Sequence, residues 1–246
     1  MSVELHEVSL RYPGTDLVID RLSTRIDQGE FIAVLGASGC GKSSLLNMIA
    51  GLLQPSDGWL DVPADGAAFM FQDANLLPWL SAAQNIELAL KLGGFPEAQR
   101  AARVEQLLEL VQLGHAGHRK PHELSGGMRQ RVALARSLAQ DRQVLLMDEP
   151  FAALDAITRD MLHEQLRQLW ESTGKTIVFV THNVREAIRL AGRILVLSSH
   201  PGRILETRQI TDGLRRDPAR CAALADELTT ILRKEQAKHE RSGIAT

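Results

Sequence analysis

EFIAVLGASGCGKSSLLNMIAGLL, residues 30–53, passes from five consecutive apolar residues through a glycine-rich turn into a stretch with helical spacing. A short Val/Ile/Leu-rich run bounded by turn residues is the pattern of a strand buried on both faces. The turn matches G-x-x-x-x-G-K-[ST] in full, from Gly36 through Ala37, Ser38, Gly39, Cys40 and Gly41 to Lys42 and Ser43, and Ser44 follows. It sits between strand and helix, the context that gives the motif its meaning. Glycines let the backbone curl until successive N–H groups face phosphate oxygens, and the helix N-terminus adds partial positive charge. Lys42 can neutralise the terminal phosphates, and the Ser43 hydroxyl can ligate Mg²⁺. Residues 36–44 are therefore the candidate nucleotide loop. Cys40 admits a redox role, but a small filler is the preferred interpretation.

Outward from this stretch, QVLLMDE (143–149), TIVFVTH (176–182) and RILVLSS (193–199) repeat the buried-strand pattern. Helical patterns follow at 42–53 and 159–174, so strands alternate with helices and predict an α/β fold around a mostly parallel sheet. AAQNIELALKL, EAQRAARVEQLLELVQL and GGMRQRVALARSLAQ carry little strand signal between them. They predict a helical subdomain inserted over about 78–140. Residues 217–241 form a last candidate helix, with Asp217 as N-cap, Pro218 at the first helical position and apolar positions at helical spacing. The closing SGIAT is expected to fray.

Composition bounds the function. The chain has 246 residues, 44% hydrophobic and 24% charged, enough for a real core and unlike a disordered tail or a disulfide-stapled miniprotein. Its 28 Lys+Arg against 30 Asp+Glu advertise no nucleic-acid partner. No apolar run exceeds five residues, far below the roughly 18 that span a bilayer. MSVELHEVSLRYPG lacks the pattern of a signal peptide, and two cysteines demand no oxidising compartment. A cytosolic protein is expected.

Three further features carry chemistry. Asp148 and Glu149 close the second buried run, where Asp148 suits a Mg²⁺ ligand and Glu149 a general base for an attacking water; an acidic N-cap is the plainer alternative. His182 ends the neighbouring run, within reach of a γ-phosphate, although a strand-end histidine is more often structural. Ser125, Gly126, Gly127 and Met128 open a helix whose N-terminus suits an anion. Alone, that turn is ordinary capping. Together, two phosphate-ready helix N-termini and one Lys/Mg²⁺ set suggest two chains sharing each nucleotide.

These motifs resemble the ATPase subunit of an ATP-binding cassette (ABC) transporter over residues 1–211. GASGCGKS (36–43) is similar to Walker A, LSGGM (124–128) to the signature, VLLMDE (144–149) to Walker B, AALD (152–155) to the D-loop and His182 to the switch histidine. The resemblance implies a P-loop (RecA-like) core, an N-terminal antiparallel β portion, the inserted helical subdomain and a C-terminal helical extension over 212–246. ATP and Mg²⁺ are the implied cofactors. Gln72 resembles the Q-loop glutamine that reaches Mg²⁺, and Tyr12 stands where an aromatic stacks on adenine, with ordinary packing as the alternative. FQDANLLPW (71–79), DEPFAALDAITRD (148–160) and HPGRI (200–204) resemble importers of the nitrate/sulfonate/taurine class. That class implies an ATP-sandwiched homodimer on the cytoplasmic face of the membrane, a separate permease, and indirectly a substrate-binding protein. Leu77, Pro78 and Trp79 would line the permease groove; a buried Trp79 closing the subdomain is the alternative. Two departures stand out. Met128 replaces the commoner glutamine, and Ala152 with Ala153 lacks a frequent D-loop serine, at a cost of roughly 0.5–1.5 kcal/mol for one hydrogen bond. A soluble ABC ATPase acting on nucleic acid or ribosomes is the rival, but one cassette, no long coiled coil and near-zero net charge weigh against it.

Overall fold

In the computed structural model, residues 3–241 are described, so the SGIAT segment lies outside them. Two sheets form. β1 (Val3–Arg11), β2 (Leu17–Ile26) and β4 (Asp57–Asp61) make an antiparallel sheet in the order β2-β1-β4. The second sheet runs β5-β6-β7-β3-β8-β9, from β3 (Phe31–Leu35), β5 (Ala67–Met70), β6 (Val144–Asp148), β7 (Thr176–Thr181), β8 (Arg193–Leu197) and β9 (Ile204–Gln209). Its strands are parallel except β9, which pairs antiparallel with β8. All five residues of β3 are buried. Phe31, Ala33 and Leu35 enter one core and Ile32 and Val34 the other, because successive side chains alternate across a sheet covered on both faces.

The helices divide between those cores. α1 (Lys42–Ile49) packs with the antiparallel sheet on one face. On the other lie α2 (Ala82–Leu92), α3 (Glu97–Leu110), α4 (Gly126–Ala139), α5 (Ala156–Thr173), α6 (Val184–Leu190) and α8 (Pro218–Arg241), with the short α7 (Asp212–Arg215) between β9 and α8. α1 stops at Ile49, short of the 42–53 pattern, because the chain turns at Gly51 with φ 73°. α5 starts earlier than its pattern, where Asp155 accepts from Thr158 N–H and caps it. Asp217 Oδ1 accepts from the N–H groups of Ala219 and Arg220 at the head of α8. Leu228 is buried, and Cys221, Leu224, Ala225, Ile231 and Leu232 pack on the core.

His163 on α5 is buried with its ring edge-on to Phe151, centroids 4.5 Å apart. Burial and the positive charge of Arg189, with a smaller push from Arg159 and a partial offset from Asp160, lower its pKa to about 4. Between pH 4 and 6.5 the unfolded chain therefore binds the extra proton. Stability is complete above pH 6.5 and falls as the pH drops through this window, by at most about 1.4 kcal/mol per pH unit. Urea midpoints measured across this range should fall less steeply in His163→Leu than in the wild type. Identical slopes would place the acid sensitivity elsewhere.

Candidate functional site

The parallel order puts the carboxyl ends of β6, β7 and β3 side by side, with β7 in the middle. Asp148 ends β6, His182 follows β7, and the loop 36–41 follows β3. In open α/β sheets this edge is where ligands bind.

The loop needs its glycines for geometric reasons. Gly41 has φ 94°, and a Cβ there would lie 2.8 Å from Ile19 Cγ1. It leads into α1 with no side-chain cap, so the first N–H groups of the helix stay available to an anion. Lys42 is only 7% exposed, its Nζ donating to Gly36 O at 3.0 Å and Ala37 O at 2.8 Å. The ammonium is thus held inside the loop. Cys40 is fully buried beneath it and burial raises its thiol pKa, so it packs as a small apolar residue and is poorly disposed to form thiolate. At the loop's outer side, Tyr12 just past β1 is half-exposed and its hydroxyl lies 3.1 Å from Ser44 Oγ. The aromatic ring therefore stands at the start of α1.

Asp148 is buried, and desolvation raises its pKa against the opposing effect of a hydrogen bond from Ser43. The two oxygens a divalent cation would use are therefore already together. Among the described residues no group of three or more His, Cys, Asp or Glu could hold a metal. Mg²⁺ fits without one, since it takes one or two protein oxygens and completes its shell from phosphate and water.

Glu149 follows Asp148 directly, and in a continuing strand the two carboxylates would point to opposite faces. Its φ of 47° breaks that alternation, a conformation costing a non-glycine residue about 1–2 kcal/mol. Its N–H donates to Val180 O at 3.0 Å, which keeps the kink tied to β7. The result is a carboxylate whose Oε1 lies 3.2 Å from His182 Nδ1. His182 is itself well exposed, so one ring edge meets Glu149 while the remainder faces outward.

Residues that the motifs did not flag fix the chain just after His182, at the start of α6. Thr181 Oγ1 donates to Glu186 Oε2 at 2.7 Å, Arg159 lies 3.5 Å from the other Glu186 oxygen, and Asn183 Oδ1 accepts from the N–H groups of Arg185 and Glu186. Burial raises the Glu186 pKa despite these partners. The readable signal was a glutamate in the first turn of a short apolar helix, four residues past His182.

The Ser125 turn stands apart. Ser125 Oγ accepts from Met128 N–H at 3.2 Å, leaving the Gly126 and Gly127 N–H groups for an external acceptor. No hydrogen bond joins residues 125–128 to the loop 36–44 among the described residues. A Cβ on Gly127 would sit 3.3 Å from Ala153 O and 3.2 Å from Leu154 Cδ2, so this turn packs directly against residues 153–154. Met128 packs its side chain on the core. Gln72 is exposed, and its carbonyl accepts from Gln130 Nε2 at 3.0 Å. Arg136 donates to the carbonyls of Ala74 and Asn75, so α4 fixes both the Ser125 turn and the 72–75 segment. Beyond it, the buried Asn85 accepts from Leu77 N–H and donates to the carbonyls of Leu77, Leu80 and Ser81. This clamp leaves Trp79 67% exposed rather than closing the helical layer.

The ABC transporter family profile matches residues 19–152. The taurine import ATP-binding protein TauB of Pseudomonas putida is 39% identical over 259 residues, covering 98% of this chain and 99% of that protein. The protein of the same name from Rhizobium johnstonii is 46% identical over 202 residues, covering 79% and 77%. Among solved structures, a dimeric post-hydrolysis ATP-binding cassette bound to ADP and phosphate superposes with a TM-score of 0.77 at 32% identity, covering 85% of this chain and 99% of that one. Profile, relatives and fold agree with the site geometry: the chain belongs to the ABC transporter family and is an ABC-type ATPase.

Proposed function

We propose that the chain is the ATP-hydrolysing subunit of an importer for taurine or a related small sulfonate. The carrying observation is the edge that gathers Lys42, Ser43, Asp148, Glu149 and His182, while the Ser125–Gly127 turn shares no hydrogen bond with the loop 36–44 among the described residues. A site complete for binding and cleavage but lacking its second anion cradle suits a head-to-tail homodimer. In it, the turn of one protomer meets the γ-phosphate held by its partner. Closure then depends on ATP, because ADP lacks the bridging group. Residues 36–44 cradle the phosphates, and Ser43 and Asp148 would hold Mg²⁺, with Gln72 as the further ligand that the resemblance adds; when bound, the ion would neutralise charge on the phosphate oxygens. Glu149 orients and deprotonates water, with His182 positioning it. Met128 leaves the cradle unaffected, since its side chain faces the core and the contacts are made by the backbone.

Residues 1–211 form the ATP-binding domain in this proposal, with 78–140 inserted as the helical subdomain and 212–246 as an extension. No described helix is long and apolar enough to cross a membrane. The exposed Trp79 beside Pro78 and Leu77 anchors a separate membrane permease, which places the chain on the cytoplasmic face, with a substrate-binding protein supplying specificity indirectly. The test is uptake. Deleting the coding sequence should abolish accumulation of labelled taurine, and the wild-type chain should copurify with a membrane protein in a Trp79-dependent manner. Uptake that persists undiminished refutes the substrate class.

Tyr12 gives a separate test. Stacking on a base is worth about 1–3 kcal/mol by alanine substitution, so Tyr12→Ala should weaken ATP binding by roughly 5- to 150-fold. Tyr12→Phe should keep near-wild-type affinity, because the ring stacks and the Ser44 contact is made by the hydroxyl. Equal losses in both variants would assign the residue to the Ser44 hydrogen bond.

A further inference from the structure

α5, α6, α7 and α8 line a half-open cavity of about 800 Å³ that shares no lining residue with the nucleotide loop. That volume lies in the range of small-molecule sites. Arginines outnumber acids in its lining, with Arg167, Arg185, Arg189, Arg215 and Arg233 against Glu164 and Asp226. Three of the arginines are neutralised from outside. Arg167 pairs with Glu171 and Asp212, Arg215 shares that same Asp212 oxygen, and Arg189 pairs with Asp160. Arg185 and Arg233 are exposed at its mouth, and their guanidinium groups have no ion pair or hydrogen bond to protein among the described residues. They approach the cavity from different elements, α6 and α8.

A second observation points to a ligand. His163 also lines the cavity, is 3% exposed, and neither ring nitrogen has a hydrogen-bond partner. A neutral imidazole must carry one N–H, and a buried donor left unpaired is costly. Ile188, Leu190 and Ala222 add apolar wall between the charged groups. Apolar wall, one orphan donor and unpaired guanidinium groups together select a particular chemistry.

The structure assigns this cavity to a small organic anion, with an apolar body against Ile188, Leu190 and Ala222 and an oxyanion met by Arg185 and Arg233. Such a ligand would staple α8 to α5 and α6. α5 begins directly after the 152–155 turn, and α6 begins two residues after His182. The ligand would thus touch the helices that carry the hydrolytic edge without entering it. Binding itself does not depend on the roles proposed for that edge.

Naphthalene-2-sulfonate is a suitable probe, titrated calorimetrically into the full chain with saturating MgADP so that the phosphate loop is filled. Expected is saturable binding of one probe per chain, weakened at least tenfold in Arg185→Gln/Arg233→Gln and equally in Ala222→Trp, which blocks the space without altering charge. Neutral 2-naphthalenemethanol should bind at least tenfold more weakly than the sulfonate. MgADP affinity should be unchanged in both variants, which separates this site from the nucleotide site. Absence of saturable binding, or binding that neither variant weakens, overturns the assignment.

Discussion

Glu149→Gln should hydrolyse ATP about a thousandfold more slowly than the wild type while still binding it, the middle of the 10²–10⁴ range for removing a positioned general base. The substitution keeps shape and removes the ability to accept a proton. The Glu149 backbone is held in its left-handed kink by the N–H bond to Val180 O, which the side-chain change does not touch. The amide can still contact His182 across the 3.2 Å gap, so water can be held but not deprotonated. Two readouts are expected together. Phosphate release should nearly stop, and sedimentation with ATP should show an accumulated dimer, because the bridging γ-phosphate is no longer removed. Turnover within tenfold of wild type would take Glu149 out of the base role.

The residues proposed to carry the chemistry at this edge are legible in the sequence because their information is local. A phosphate loop is a contiguous run of glycines with one lysine, and Asp148 and Glu149 sit together at the end of an apolar burst. β3, β6, β7 and β8 were legible for a related reason. Burial on both faces leaves an unbroken apolar run that needs no phase. β1 and β2 gave no such signal. Their ladder slips between Leu5 and Val8 and again before Leu10, with positive φ at Glu7 and Arg21, so alternation never persists long enough to count. β4 is mostly exposed and β5 spans four residues. The antiparallel portion was accordingly reached through family resemblance.

What stayed hidden depends on pairings made only by the fold. Glu186 matters because β7 brings Thr181 to it and α5 brings Arg159. Gln130 and Arg136 read as ordinary polar positions on a helix, yet both bond to carbonyls of the 72–75 segment about 60 residues away. The kink at Glu149 is likewise invisible, since no residue preference announces a glutamate with φ 47°. Sequence thus offers the groups proposed to meet phosphate, whereas the contacts around them emerge from strand order.

Lys42→Ala should weaken ATP binding by about 100-fold or more, a loss in binding itself rather than in turnover alone. Hydrogen bonds to a charged group contribute about 1.5–3 kcal/mol each, and each 1.4 kcal/mol is tenfold in affinity. The ammonium already lies within the loop, bonded to Gly36 O and Ala37 O, so presenting it to phosphate requires no rearrangement of the main chain. Without it the helix N-terminus still attracts an anion, but only with its partial charge. Lys42→Met separates the causes: it retains most of the buried stem and loses the charge, so it should bind as poorly as the alanine variant. Equilibrium binding of a fluorescent ATP analogue, with urea midpoints as a folding control, decides the matter. Affinity within threefold of wild type in a folded Lys42→Met protein would mean that the backbone N–H groups alone hold the phosphates and that the lysine serves only to tie Gly36 and Ala37 together.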